Sequence, residues 1–276
     1  IRDLRLSRGL GDVYKRQREQ CPVAHTDRLG GSWNPTRFDD VREMAKMTDV
    51  LSSRQVLVMP PPPGSAEMSR YEQMIAAAPI TADPPIHTWT RRMLLPAFAP
   101  KAVLQYERYT EELAHSLIDD FIESGRCDGA EQYAQQIPPR VIAHILGVNP
   151  GMADQFVIWV NGVLGAGLND PELRLKTREE LLGFIGAEVA KRMEDPQEDL
   201  LTELLFMEPD HPDAKITPEV VVGITNLLII AGIDTTWSSI GSSLWHLATH
   251  PADRERLAAE PEPVSYTHLR AHETVE

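Results

Sequence analysis

The chain has 276 residues, of which 42% are hydrophobic and 25% charged, a composition typical of a globular protein with a sizeable core. Its formal net charge of −14 leaves no basic surface that could follow a phosphate backbone, so we exclude nucleic acid and expect small molecules or proteins as partners. The two cysteines, Cys21 and Cys127, follow no signal-peptide pattern, which predicts a reducing compartment, the cytoplasm.

Both ends of the chain differ from its interior. The strings SRGLGDVYKRQ (7–17) and VSYTHLRAHET (264–274) resemble translated sequencing adapters more than folding segments. Residues 1–17 carry five Lys or Arg against two Asp, a charge of +3 in an acidic chain. We therefore expect non-native tails at 1–17 and 264–276 and one folded domain at 18–263.

The interior begins with extended segments and then becomes helical. Residues 30–36 and the apolar run at 56–59 predict two short strands around a helix near 38–48. Four consecutive prolines at 60–63 require an extended loop, because each proline fixes φ and lacks an N–H donor.

A long amphipathic helix is predicted between Ala102 and Ser124, where apolar residues recur at helical spacing and Gly125 follows as a stop. Proline and glycine punctuation separates four further predicted helices, at 139–147, 151–165, 171–194 and 198–207. The sequence thus predicts a mostly α fold with a minor β element.

The most informative predicted helix spans about 217–249. Thr217 can cap its first turn, Pro218 suits its first position and Pro251 marks its end. Its apolar run, 220–233, has 14 residues, whereas a bilayer-spanning helix needs about 20. We therefore expect a buried core helix and no membrane anchor.

Within this helix, the hexapeptide AGIDTT at 231–236 combines three features that a helix interior normally avoids. Gly232 costs about 1 kcal/mol relative to alanine, Asp234 places a carboxylate among apolar neighbours, and Thr235 can bond back to the carbonyl of Ala231. Such coinciding departures from local rules indicate a functional site, although a kinked core helix with a satisfied aspartate would show the same residues.

The hexapeptide resembles the [AG]-G-x-[DE]-T-[TS] pattern on the long central helix of the cytochrome P450 family. Upstream, DPPIHTWTRR at 83–92 is similar to the D-P-P-x-H-T-x-x-R-R segment of the same family. The two motifs occur in the family's order, about 150 residues apart, and the resemblance covers residues 18–263.

The resemblance implies a haem b cofactor and assigns residues to it. His87 and Arg91, four apart on one helix face, would hold a haem propionate, although an ordinary exposed pair is the alternative. Ala231 and Gly232 have no side chain beyond Cβ and would leave space for dioxygen and the macrocycle. Thr235 would hydrogen-bond the oxygen until its O–O bond breaks, and Asp234 would supply protons.

The implied activity is a monooxygenase that hydroxylates an apolar organic substrate with dioxygen and two electrons. A ferredoxin- or flavin-type partner would provide the electrons, because the chain shows no flavin or NAD fingerprint. The substrate pocket would be lined by the segments 66–81 and 160–172 and, on the central helix, by Leu227, Ile230 and Ala231.

Two family motifs that follow the central helix are not found: a Glu-x-x-Arg helix motif and the Gly-flanked loop whose cysteine ligates iron. Cys127 precedes the helix and has different glycine spacing, so neither cysteine is expected as a metal ligand. We expect the front two-thirds of such a protein, with an inactive fragment as the alternative. The alternative from another enzyme class is an all-helical terpenoid cyclase, to which the aspartates Asp119 and Asp120 would be suited. Such an enzyme would need a second metal-binding motif on a partner helix, and none is found in the sequence.

Overall fold

The computed structural model describes residues 14–27, 31–55 and 68–260. Within these residues the protein is mostly α-helical with one two-stranded sheet, as the sequence predicts. The expected strand at 56–59 lies outside the described residues, as do residues 1–13 of the first expected tail and all of the second, 264–276. The chain divides into two compact units, the first formed by 1–93 and 209–215 and the second by the remainder.

The described part of the first unit starts with a helical segment at 14–20, and an antiparallel hairpin follows it. Strand β1 (Val23–Thr26) pairs with β2 (Ser32–Pro35), and helix α1 (Phe38–Met44) follows. The prediction of a strand within 30–36 and a helix near 38 is therefore confirmed. Sequence reasoning missed β1, because four residues are too few to show a clear alternation. No residue is buried in the described segments 14–27 and 31–55.

Two further helices complete the first unit. Helix α2 (Arg70–Ile75) starts at a capping box, in which the Ser69 hydroxyl accepts from the Glu72 N–H and the Ser69 N–H donates to the Glu72 carboxylate. Helix α3 (Ile86–Leu94) buries one apolar stripe. This stripe consists of Ile86, Trp89, Thr90 and Met93.

The second unit is a helical assembly. Its helices are α4 (Pro100–Ile122), α5 (Ile137–Leu146), α6 (Ala153–Leu164), α7 (Pro171–Glu194), α8 (Leu200–Phe206), α9 (Pro218–Thr249) and α10 (Pro251–Ala259). Shorter turns lie at Gly129–Ala134, Pro150–Met152 and Ala166–Leu168. All the helices predicted for this part of the chain are present, with ends within two residues of the predicted bounds.

A buried ion cluster joins three elements of this unit. Arg192, at the end of α7, donates to the Asp199 carboxylate at 2.9 Å, to the Gly147 carbonyl at 2.7 Å and to the Glu188 carboxylate. Gly147 ends α5 with φ +70°, and a Cβ on it would clash with the side chain of Asp199. Every donor direction of this buried arginine is therefore matched, as a buried charge requires.

Helix α9 crosses the core of the second unit and packs against α5, α7 and α8. Pro218 occupies its first turn as predicted, but the predicted cap at Thr217 is wrong in one respect, because the hydroxyl makes no capping bond to the backbone. It bonds instead to the Glu219 carboxylate and lowers the pKa of that group. Each buried residue of α9 lies before residue 234. They are Val220, Val221, Gly223, Ile224, Thr225, Asn226, Ile229 and Ile233.

By length and composition alone, α9 could cross a membrane, and it is the one such helix in the described part of the chain. The central helix of a helical core meets the same test. The burial of its first half among α5, α7 and α8 agrees with the expected core helix.

Candidate functional site

The predicted site residues fall into two sets, one in each compact unit. His87 and Arg91 belong to the first unit, and the residues from Leu227 to Thr235 belong to the second.

The first set is a histidine–arginine pair on one flank of α3. The His87 side chain is half-buried and Arg91 is exposed. Neither the imidazole nor the guanidinium has a hydrogen bond or ion pair with any residue that the structure describes. The neighbouring Arg92 differs, because its Nη1 donates to the Asp210 carbonyl at 3.4 Å and lies 3.7 Å from the Asp210 carboxylate. One turn of α3 thus presents two donor groups that the described protein leaves unmatched.

The opposite side of α3 fixes the direction of this pair. Trp89 and Met93 are 2% and 4% exposed, and the Thr90 hydroxyl donates to the Ile86 carbonyl at 2.7 Å. Because successive helical residues turn by about 100°, burial of this stripe directs His87 and Arg91 away from the unit's core.

In the second set, Thr235 bonds back to its own helix as predicted. Its hydroxyl donates to the Ala231 carbonyl at 2.6 Å. A carbonyl oxygen only accepts, so the shared proton belongs to Thr235, and the hydroxyl oxygen keeps its lone pairs for a second partner. Ala231 and Thr235 are both exposed and lie four residues apart, on one face of α9.

Gly232 lies on the side of α9 that faces α5. A Cβ at this position would lie 2.8 Å from Cδ1 and 3.3 Å from Cγ1 of Ile142 on α5. The missing side chain therefore lets α9 approach α5, a reason for glycine that the local sequence does not reveal. A contact between Gly232 and the haem macrocycle stays a prediction.

Asp234 stands where the buried part of the helix ends. The preceding residue, Ile233, is fully buried, whereas Asp234 is half-buried and its carboxylate has no hydrogen bond or ion pair within the described residues. Leu227 and Ile230 are also half-buried. Their contact with a substrate stays a prediction, as does that of the segments 66–81 and 160–172.

Both cysteines are free thiols at exposed positions. Within the described residues, no three His, Cys, Asp or Glu side chains are grouped so that they could hold a metal ion. The His246 and His250 rings stack at 4.1 Å, and His246 Nε2 lies 2.9 Å from the Asp253 carboxylate, which makes this a local contact between α9 and α10.

The second unit has a long central helix with an exposed Ala–Thr face, and the first unit carries a His–Arg pair. Known proteins that are similar in sequence and structure indicate the class of protein to which this chain is related. Residues 153–268 match the family described as Cytochrome P450. The polyketide biosynthesis cytochrome P450 PksS of Bacillus subtilis is 24% identical over 265 residues, which cover 92% of this chain and 63% of that protein. The vitamin D(3) 25-hydroxylase of Pseudonocardia autotrophica is 30% identical, over 86% of this chain and 57% of that protein.

A solved structure agrees with these relatives. Substrate-free CYP109E1 from Bacillus megaterium superposes with a TM-score of 0.73 at 26% identity, over 91% of this chain and 64% of that one. Over most of its length the chain is similar to cytochromes P450, a family whose members use haem b. It spans about three-fifths of the length of the curated relatives that it matches.

Proposed function

We propose that the whole protein is a haem-dependent monooxygenase that hydroxylates an apolar organic substrate with dioxygen and two electrons. The observation that carries the proposal is the unmatched pair on α3, because His87 and Arg91 offer donors to an anion that no described residue supplies. Relatives named as hydroxylases support the same reaction.

The residues present fit haem b, which combines anionic propionates with a flat and largely apolar ring. Arg91 can bind a carboxylate through two parallel N–H groups, and His87 can donate from a ring nitrogen one turn earlier. On α9, Ala231 presents only a methyl group, so a flat ring could approach that face. When bound, haem supplies the iron that activates dioxygen.

Thr235 and Asp234 have separate tasks in this proposal. The Thr235 hydroxyl donates a hydrogen bond to the Ala231 carbonyl, which orients the hydroxyl oxygen as an acceptor for a protonated ligand on the exposed face. The Thr235 hydroxyl can donate to a ligand only after its hydrogen bond to the Ala231 carbonyl has broken. Asp234, half-buried and unmatched among the described residues, holds a carboxylate that can carry protons from solvent towards this face.

The proposal also includes a substrate class and an electron-transfer partner. Leu227 and Ile230 would present aliphatic surface to an apolar substrate, beside Ala231. A ferredoxin- or flavin-type protein is the proposed electron donor, since the 276 residues of this chain contain no flavin or NAD fingerprint. We place these steps in the cytoplasm, because both cysteines are free thiols, as is usual in a reducing compartment. Neither Cys21 nor Cys127 is proposed as the iron ligand.

Haem binding by α3 variants tests the proposal. Arg91→Ala in the whole protein should weaken haem binding about tenfold or more, because a hydrogen bond to a charged group contributes about 1.5 kcal/mol or more. His87→Ala should act in the same direction. The measurement is an absorbance titration of the apoprotein with haem. Arg92→Ala is the matched control, since Arg92 is engaged with Asp210, and an equal loss in that variant would remove the pair from the haem site.

A further inference from the structure

Asp83 is a largely buried carboxylate just before α3, with a side chain that is 12% exposed. Its Oδ2 accepts from the Ser52 hydroxyl at 2.6 Å, and its Oδ1 accepts from the Ser53 N–H at 2.8 Å. The Arg70 guanidinium lies 3.7 Å from Oδ2. The carboxylate therefore joins three parts of the first unit: the loop at 51–55, the first residue of α2 and the start of α3.

The contacts of Asp83 are not those of an ordinary helix cap. An aspartate before a helix usually accepts from an N–H of the first turn. Here the next two residues, Pro84 and Pro85, have no N–H to offer, and the carboxylate binds the loop instead. The backbone of Asp83 still belongs to the helix, because its carbonyl accepts from the His87 N–H at 3.0 Å. One residue thus holds the loop with its side chain and His87 with its main chain.

The charge of this carboxylate is maintained. Burial raises the pKa of Asp83, but the hydrogen bonds from Ser52 and Ser53 and the positive charges of Arg70 and Arg54 together lower it below its ordinary value. The Arg54 Nε also donates to the Ser52 hydroxyl at 3.0 Å, which fixes that hydroxyl towards the carboxylate. The hydrogen bonds from Ser52 and Ser53 to the Asp83 carboxylate form a tether between the loop at 51–55 and the start of α3. At neutral pH this tether is charge-assisted and therefore stronger than a neutral hydrogen bond.

We propose that Asp83 is a positioning residue for the His87 and Arg91 pair, holding the start of α3 so that both donors meet one propionate in a fixed orientation. The inference rests on the proposed function. It follows from the path of bonds: Ser52 and Ser53 hold the Asp83 side chain, the Asp83 carbonyl holds His87, and Arg91 lies one helical turn further on.

A double-mutant cycle on haem affinity tests this positioning role. Asp83→Ala in the whole protein should weaken haem binding at least about threefold, since residues of one hydrogen-bonded network are coupled. In a protein that already carries His87→Ala and Arg91→Ala, the same change should have almost no further effect, because no donor is left to position. An equal loss in both backgrounds would show a general structural role and overturn the inference, as would an unchanged affinity after Asp83→Ala alone.

Two further variants make the outcome decisive. Asp39→Ala breaks an exposed ion pair with Arg42 in the same unit and should leave haem affinity unchanged. If Asp83→Ala does not fold, Ser52→Ala decides, because it removes one donor and keeps the carboxylate. It should weaken haem binding in the same direction and only when His87 and Arg91 are present. If Arg91→Ala itself leaves haem affinity unchanged, the proposed haem contact fails, whereas additive effects refute only the role of Asp83.

The tether also predicts a pH dependence with a definite sign. A carboxylate whose pKa is lowered in the folded state stabilises that state above its ordinary pKa and loses this contribution as the pH falls through the lowered value. Between neutral pH and the acid range, wild type should therefore lose more unfolding free energy than Asp83→Asn. The measurement is the free energy of unfolding of both proteins as a function of pH. If the two values fall in parallel across that range, the carboxylate contributes nothing.

Discussion

The two halves of α9 belong to one helix but have different environments. From Val220 to Ile233 the helix contains eight buried residues, whereas from 234 to 249 it contains none. Leu244 and Trp245 in the second half are 37% and 68% exposed. Apolar character alone therefore does not decide burial, because a side chain is buried only where a neighbouring element supplies a matching surface.

The AGIDTT hexapeptide lies at the border between these halves. Ile233 is fully buried, Asp234 is half-buried and Thr235 is exposed, so three consecutive residues pass from core to open face. The core half fixes the helix in place, and the first exposed turn carries the groups proposed to meet a ligand. This arrangement gives a rigid support to Ala231 and Thr235 while leaving their face accessible.

The largest expected effect is a loss of stability in the core half. Ile224→Ala should lower the free energy of unfolding by about 2–5 kcal/mol, because Ile224 is fully buried and the change leaves a cavity. Leu244→Ala in the exposed half should cost less than about 1 kcal/mol. Chemical denaturation of both variants measures the difference, and equal losses would mean that the second half of α9 is as well packed as the first.

An intermediate effect is expected at the contact between α9 and α5. Gly232→Ala places a methyl group 2.8 Å from Cδ1 of Ile142, and such overpacking costs about 1–3 kcal/mol. The gain in helix propensity, about 1 kcal/mol, offsets part of it. Ile142→Val removes that Cδ1 atom and should relieve the cost in a double variant, which denaturation midpoints can measure.

Gly183 provides the control for that experiment. It lies in α7, is exposed, and a Cβ on it would meet nothing within 4 Å. Gly183→Ala should therefore raise stability by up to about 1 kcal/mol through helix propensity alone. A similar gain for Gly232→Ala would contradict the close approach of α9 to Ile142.

The smallest change in stability is expected at Thr235, on the exposed side of the border. Thr235→Ala removes the bond to the Ala231 carbonyl but increases helix propensity, so stability should stay within about 0.5 kcal/mol. In the whole protein with a surrogate redox partner, the same change should divert NAD(P)H consumption from product to hydrogen peroxide. Thr236→Ala, one position further round the helix, is the control. Equal product per NAD(P)H in wild type and Thr235→Ala would remove Thr235 from the mechanism.

Most helices of the second unit and the resemblance to cytochromes P450 could be predicted from the sequence, whereas α2 and α10 were not predicted. The predicted and observed bounds of α7 coincide at 171–194, and Pro218 and Pro251 delimit α9 as predicted. These features are local, because proline geometry, glycine and helical periodicity act over a few residues. The i, i+4 spacing of His87 and Arg91 and the back-bond of Thr235 were predictable for the same reason.

Which groups are engaged and which remain open depends on contacts between residues that are far apart in the chain. Arg91 and Arg92 are adjacent and chemically identical, but Arg92 meets Asp210, 118 residues away, and Arg91 meets no described partner. Likewise, Ile142 explains Gly232, and Ser52 supplies the partner that the Asp83 carboxylate binds. These contacts join residues that are 31 to 118 positions apart, and local sequence patterns do not encode them because they depend on how whole elements pack.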